Sequence, residues 1–150
     1  MIDITKAFTG GPSFRFELTL RKTGTTVLFG PSGSGKTTLL RMLAGLDPPD
    51  RGHIRFGETT WFDREAAVNV PPQKRRVGYV TQESALFPHL SVLDNTGFGV
   101  PVPDRGTRVP KMLILMGIAD LAARFPNELS GGQKQRVALA RAVAARPQVL

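Results

Sequence analysis

The sequence predicts an α/β fold, and three observations predict it. Residues 25–29 form a short apolar, β-branched run. It leads into Gly30-Pro31-Ser32-Gly33-Ser34-Gly35-Lys36-Thr37 and then into a helical pattern over 38–44, the order strand, glycine loop, helix. Further short runs before residue 83 carry strand patterns, and residues 91–146 carry mostly helical ones.

The elements follow in order. Residues 2–8 and 13–20 predict two strands about the turn Gly10-Gly11-Pro12. In the second, Phe14, Phe16, Leu18 and Leu20 alternate with Arg15, Glu17 and Thr19, the pattern of a half-buried strand. Residues 25–29 predict a buried strand, and the helix after the glycine loop ends near Gly45. Residues 45–52 are a loop by composition. Residues 53–57 predict a strand, with 59–62 pairing nearby and Trp61 and Phe62 as sheet packing. Pro71-Pro72-Gln73 interrupts the chain before 77–82, which reads as a buried strand with polar residues at its carboxyl end. Ligands of open α/β sheets bind beyond the carboxyl ends of the strands, so Gln82 is expected near the same crevice as the glycine loop. Leu113, Leu115, Met116 and Ile118 follow the proline-rich segment 101–110 with helical spacing. The clearest helix runs from Gly131 to about Arg146, with Val137, Ala140 and Ala144 on one face and Pro147 ending it.

Composition narrows the class. A chain of 150 residues suffices for one domain with a sizeable core. No apolar run approaches a membrane span, and the first residues lack a basic segment followed by an apolar one, so no secretory signal is expected. The absence of cysteine excludes disulfides and thiolate metal sites. A formal charge of +8 raises the question of a polyanion partner. The dense basic cluster is Lys74-Arg75-Arg76, with no interleaved aromatic residues, and no nucleic-acid partner is expected from it.

Two motifs carry chemistry. The loop Gly30 to Thr37 matches the phosphate-binding pattern G-x-x-x-x-G-K-[ST], in which backbone N–H groups at a helix N-terminus cradle phosphates. Lys36 would reach the β and γ phosphates and the Thr37 hydroxyl would hold Mg²⁺. Ser32, Gly33, Ser34, Gly35 and Thr38 would add backbone or hydroxyl contacts. The second motif is Leu129-Ser130-Gly131-Gly132-Gln133, ahead of the last helix. Ser130 can cap that helix, and Gly131 and Gly132 leave its amides open to a bulky anion.

With both motifs in one chain, the sequence resembles the nucleotide-binding subunit of ATP-binding cassette (ABC) transporters over essentially its whole length. Gly30 to Thr37 matches the Walker A motif, Gln82 the Q-loop glutamine and Leu129 to Gln133 the signature motif. Phe8 matches the A-loop aromatic that stacks on adenine. Phe8 also fits a plain core residue, and its exposure beside Walker A decides between the two. Residues 71–92 are most similar to bacterial importer subunits for molybdate, then for sulfate and related oxyanions.

The resemblance implies a P-loop NTPase core of the ABC ATPase type. That core has a mixed sheet around the Walker A helix, an N-terminal antiparallel β subdomain and a helical signature subdomain. It implies a β-rich core over 1–83 with Walker A and the Q-loop, a helical subdomain over 84–146, and the start of the Walker B strand at 147–150. The metal-supporting Asp, the catalytic Glu, the D-loop and the switch histidine of the family are expected after residue 150, in a longer parent protein.

The implied ligands are ATP and Mg²⁺, with Lys36 and Gln82 in catalysis and Thr37 and Gln82 at the metal. Ser130, Gly131, Gly132 and Gln133 would contact ATP bound by a second copy, so that two subunits sandwich the nucleotide. Transmembrane permease subunits would dock around Gln82 to Asn95, where Phe87, Pro88 and Leu90 are expected to form an exposed apolar patch and His89 to lie in the coupling surface. The implied place is cytoplasmic, on the inner face of the cell membrane. A soluble ABC ATPase acting on nucleic acid or ribosomes is the alternative.

Overall fold

The computed structural model describes residues 1–20 and 23–150. The chain divides into two compact units, Met1–Arg75 and Arg76–Leu150.

The first unit is built on an antiparallel sheet of five strands. These are β1 (Ile2–Ala7), β2 (Ser13–Leu18), β3 (Arg51–Phe56), β4 (Thr59–Asp63) and β5 (Val68–Asn69), in the order β2-β1-β3-β4-β5. Alternation along the strands decides its faces. Ile2 and Ile4 of β1, Ile54 of β3 and Phe62 of β4 are buried, while Arg15, Glu17 and Arg55 stay in solvent. Trp61 and Phe62 are buried as expected, and Trp61 stacks on Phe56 at 4.9 Å. Helix α1 (Lys36–Ala44) buries Leu39, Met42 and Ala44 and ends at Gly45, whose φ of 78° is left-handed. Gly45 N–H donates to Met42 O and Leu46 N–H to Arg41 O, closing the last turn.

The second unit is helical: α2 (Val92–Gly97), α3 (Val102–Leu115) and α4 (Gly131–Ala144), with short 3-10 turns at Ala119–Leu121 and Pro126–Glu128. Its core joins Val92, Val109, Leu113, Ile118, Leu129, Val137 and Ala140. Helix α3 starts inside the proline-rich segment rather than after it. Pro103 sits in the first turn, where a missing N–H costs nothing, and Pro110 lies in the interior on the solvent side.

Two expected strands are not formed. Residues 25–29 form no strand and pair with none, leaving Val27 81% and Phe29 100% exposed. A strand persists only where neighbours take its N–H and C=O groups and cover its side chains, and among the described residues none does so here. In 77–82 the pairing is a single parallel bridge, Val77 with Val149, closed by Gly78 N–H on Val149 O at 2.8 Å. Val80 beyond it is exposed.

Candidate functional site

The loop from Gly30 to Lys36 is shaped by its glycines. Gly35 is the N-cap of α1 at φ 84°, and no side chain caps the helix. A Cβ at Gly35 would lie 2.9 Å from both Phe14 Cδ1 and Phe16 Cζ, so conformation and space both demand glycine there. Gly33 is also left-handed, at φ 79°. With no side chain competing, the first-turn amides of α1 remain free, and they carry the positive end of the helix dipole. Lys36 folds back over the loop. Its Nζ donates to Pro31 O at 2.7 Å, Gly30 O at 2.8 Å and Ser34 Oγ at 3.3 Å. The Thr37 side chain is exposed and makes no hydrogen bond among the described residues; Ser32 is exposed, and Ser34 and Thr38 are half-buried. Free amides, an ammonium and an open hydroxyl in one loop suit a polyphosphate with a divalent cation.

Phe8 lies at the same end of the first unit. It is 44% exposed and meets Phe14 edge-to-face at 6.2 Å. Phe14 in turn stacks on Phe16 at 6.1 Å, and these two rings abut Gly35. The aromatic row therefore runs from Phe8 to the glycine loop, and Lys6 Nζ lies over the partly exposed Phe8 ring at 6.0 Å from its centroid.

The basic cluster at 74–76 is not a surface patch. Arg75 is 1% exposed, and its guanidinium is bound by backbone carbonyls of the first unit. Burial pushes its pKa down.

In the second unit, Gln82 is exposed in a turn. Two and three positions beyond it, Ser84 (φ 63°) and Ala85 (φ 39°) are both left-handed without being glycine. Arg141 of α4 reaches this turn: its Nη2 donates to Ala85 O at 2.9 Å and Ser84 O at 3.5 Å, and the guanidinium lies 5.0 Å from the Phe87 ring centroid. Asn95, fully buried, holds the following loop. Its Oδ1 accepts from Phe87 N–H, and its Nδ2 donates to the carbonyls of Phe87, Leu90 and Ser91. Phe87 and Leu90 are thereby drawn half inside, which corrects the expected patch for these two, while Pro88 is exposed as expected. Leu93 and Phe98, both exposed, flank a cavity of about 610 Å³ that His89, Arg105 and Val109 also line.

Ser130 caps α4. Its Oγ accepts from Gln133 N–H at 3.3 Å, while Gln133 Oε1 accepts from Ser130 N–H at 2.8 Å. This reciprocal pair leaves the amides of Gly131 and Gly132 without a side-chain cap in the exposed first turn of α4. Arg141 stands eleven positions further on, roughly 16 Å along the helix. The turn after Gln82 is thus tied to the carboxyl half of α4 and not to its capped end.

The structure joins Gly30 to Thr38 with Phe8 in one unit, and holds Gln82 and Ser130 to Gln133 in the other. Sequence reasoning missed Arg75, Arg141 and Asn95. Arg141 did leave a signal: it falls four residues after Val137 and three before Ala144, on the apolar face of α4.

The model of the ABC transporter family matches residues 14–150. The molybdenum import ATP-binding protein ModC of Pseudomonas savastanoi pv. phaseolicola is 48% identical over 91% of this chain and 38% of its own length. The Fe(3+) ions import ATP-binding protein FbpC of Pseudomonas fluorescens is 48% identical over 98% of this chain and 42% of its own length. The chain thus spans about two fifths of these curated relatives. A dimeric, post-hydrolysis ATP-binding cassette structure bound to ADP and Pi superposes with a TM-score of 0.78 at 29% identity, covering 96% of this chain and 68% of that one. Its fold and sequence place this chain in the ABC transporter family, as an ATP-binding domain.

Proposed function

We propose that this chain is the nucleotide-binding part of an ABC importer ATPase that couples ATP binding and hydrolysis to uptake. The observation that carries the reading is the loop around Lys36, where uncapped amides, the ammonium and the Thr37 hydroxyl converge. Lys36 would exchange neutral carbonyl partners for phosphate oxygens, which are stronger acceptors because they are charged. Gly30, Ser32, Gly33, Ser34, Gly35 and Thr38 would line the phosphates, and Thr37 with Gln82 would support Mg²⁺. When bound, the metal would neutralise charge on the phosphates. Phe8, partly exposed at the same end of the unit, would stack on adenine.

Ser130, Gly131, Gly132 and Gln133 would meet the nucleotide of a second copy. One helix end supplies only about half an elementary charge, so a second end helps neutralise a triphosphate. The relatives named for import support a permease partner at Gln82 to Asn95, on the cytoplasmic face of the membrane. Among the described residues no helix is long and apolar enough to cross a membrane. Molybdate is the cargo proposed, on the likeness of residues 71–92 and the molybdenum importer among the relatives.

The test uses the full-length protein. Wild type should bind a fluorescent ATP analogue with Mg²⁺ and dimerise in ATP when hydrolysis is blocked, and Lys36→Ala should bind it about tenfold or more weakly and fail to dimerise. Tight ATP binding retained by Lys36→Ala would overturn the assignment. Strong, steeply salt-dependent binding of DNA or RNA would favour the nucleic-acid alternative instead.

A further inference from the structure

Arg75 is a buried cation with no carboxylate partner among the described residues. Its donors all end on neutral oxygens: Nε on Val70 O at 2.8 Å, Nη1 on Met42 O at 2.8 Å and Leu43 O at 3.0 Å, Nη2 on Asn69 Oδ1 at 3.2 Å and Trp61 O at 3.4 Å. Its carbon Cζ stands 5.8 Å from the Trp61 ring centroid. Burying a charge without a counter-ion is costly, so this arrangement has to be held by complete hydrogen bonding.

Two of those oxygens, Met42 O and Leu43 O, belong to the last turn of α1. A cation there complements the negative end of the helix dipole, gives Leu43 O a donor and adds a second one to Met42 O, which already accepts from Gly45 N–H. The remaining oxygens belong to β4, β5 and the residue that follows β5. A single planar fork thus fastens the carboxyl end of α1 to one edge of the antiparallel sheet. Gly45 makes room for it: a Cβ there would lie 2.7 Å from Arg75 Nε. The opposite end of α1 carries Lys36 and Thr37. The helix has 9 residues and is rigid over that length, so what fixes one end sets the position of the other.

We propose that Arg75 is a positioning residue for the phosphate loop, anchoring the far end of α1 to β4 and β5 so that the loop amides and Lys36 Nζ keep their places. The inference rests on reading that loop as the nucleotide site. A lysine keeps the charge but cannot bridge helix and sheet with a planar fork; a methionine keeps bulk and loses both.

The test measures ATP affinity of full-length wild type, Arg75→Lys, Arg75→Met, Lys36→Ala and the core control Ile4→Val, each well below its unfolding midpoint. Arg75→Met should raise the ATP dissociation constant about tenfold or more, since small misplacements in a preorganised site are expensive. Arg75→Lys should fall between it and wild type. Ile4→Val should lower thermal stability yet leave affinity within about twofold, as expected for a site without shared partners.

Hydrogen exchange should quicken in residues 36–44 in both Arg75 variants. If Arg75→Met does not fold, Arg75→Lys alone decides, by weakened affinity with faster exchange in α1. Affinity unchanged in the Arg75 variants, or weakened as much by Ile4→Val, overturns the proposal. If wild type fails to bind ATP, or Lys36→Ala binds it normally, the underlying site assignment fails instead.

Discussion

The guanidinium of Arg141 donates to the carbonyl oxygen of Ala85 at 2.9 Å, three residues beyond Gln82. That bond stands over two consecutive non-glycine residues in left-handed conformations. Each such residue costs on the order of 1–2 kcal/mol, so the turn persists only because its surroundings hold it. Arg141→Ala should therefore release the turn. The expected loss is about 1–3 kcal/mol from the hydrogen bonds and the contact with Phe87. Urea unfolding gives the stability change, and limited proteolysis should reveal new cleavage at 82–90. Unaltered cleavage there would refute the clamp.

Lys36→Ala removes the ammonium from the loop mouth without touching the core, since the side chain is only half-buried. A charge-assisted contact is worth about 1.5–3 kcal/mol, so ATP affinity should fall roughly tenfold to a hundredfold. Thermal stability should change little. Titration of the full-length protein with a fluorescent ATP analogue checks the first point and a melting curve the second.

Ser130→Ala opens the reciprocal pair with Gln133 and leaves an N–H of the first turn of α4 unpaired. Loss of such a cap costs about 1 kcal/mol. Chemical denaturation should show the loss, and Ser130→Asp should recover most of it because aspartate caps as well as serine.

Asp50 provides a pH-dependent element. Ala7 N–H donates to its Oδ2 at 2.8 Å, and the Lys6 ammonium lies 3.1 Å from its Oδ1. The backbone bond first, and then the lysine, hold its pKa below the ordinary 3.8. A depressed folded-state pKa means that ionised Asp50 stabilises the fold above 3.8, and that the contribution disappears as pH falls through the lower folded value. The carboxylate is largely exposed, so the effect is small. Wild type should melt above Asp50→Asn at neutral pH, and the two curves should converge in acid. A gap that is constant with pH would exclude this origin.

The local chemistry of the glycine loop was legible in sequence, because left-handed backbone at Gly33 and Gly35 is a property of glycine itself. The cap at Ser130 was legible for the same kind of reason: serine hydroxyl and glutamine amide three residues apart can close on each other without help from the rest of the chain. Strand β2 was legible from the alternation of Phe14, Phe16 and Leu18 with charged residues, and β1, β3 and β4 from short strand-like runs between turns. The run 25–29 shows where this logic stops, since apolar β-branched residues state a preference for a strand but cannot supply the neighbour that completes one.

Arg75 and Arg141 mark what tertiary structure alone decided. Lys74, Arg75 and Arg76 are adjacent and chemically alike, yet Arg75 is buried while its neighbours are exposed. Composition counts a charge, whereas its meaning depends on which oxygens the fold brings to it. The carbonyls of Met42 and Leu43 lie more than thirty positions away from Arg75 along the chain. The sequence by itself determined the backbone of the glycine loop, the cap at Ser130 and the family. Folding decided which cations brace the helix behind that loop and the turn after Gln82, because a buried guanidinium is tolerable only where distant backbone oxygens converge to satisfy it.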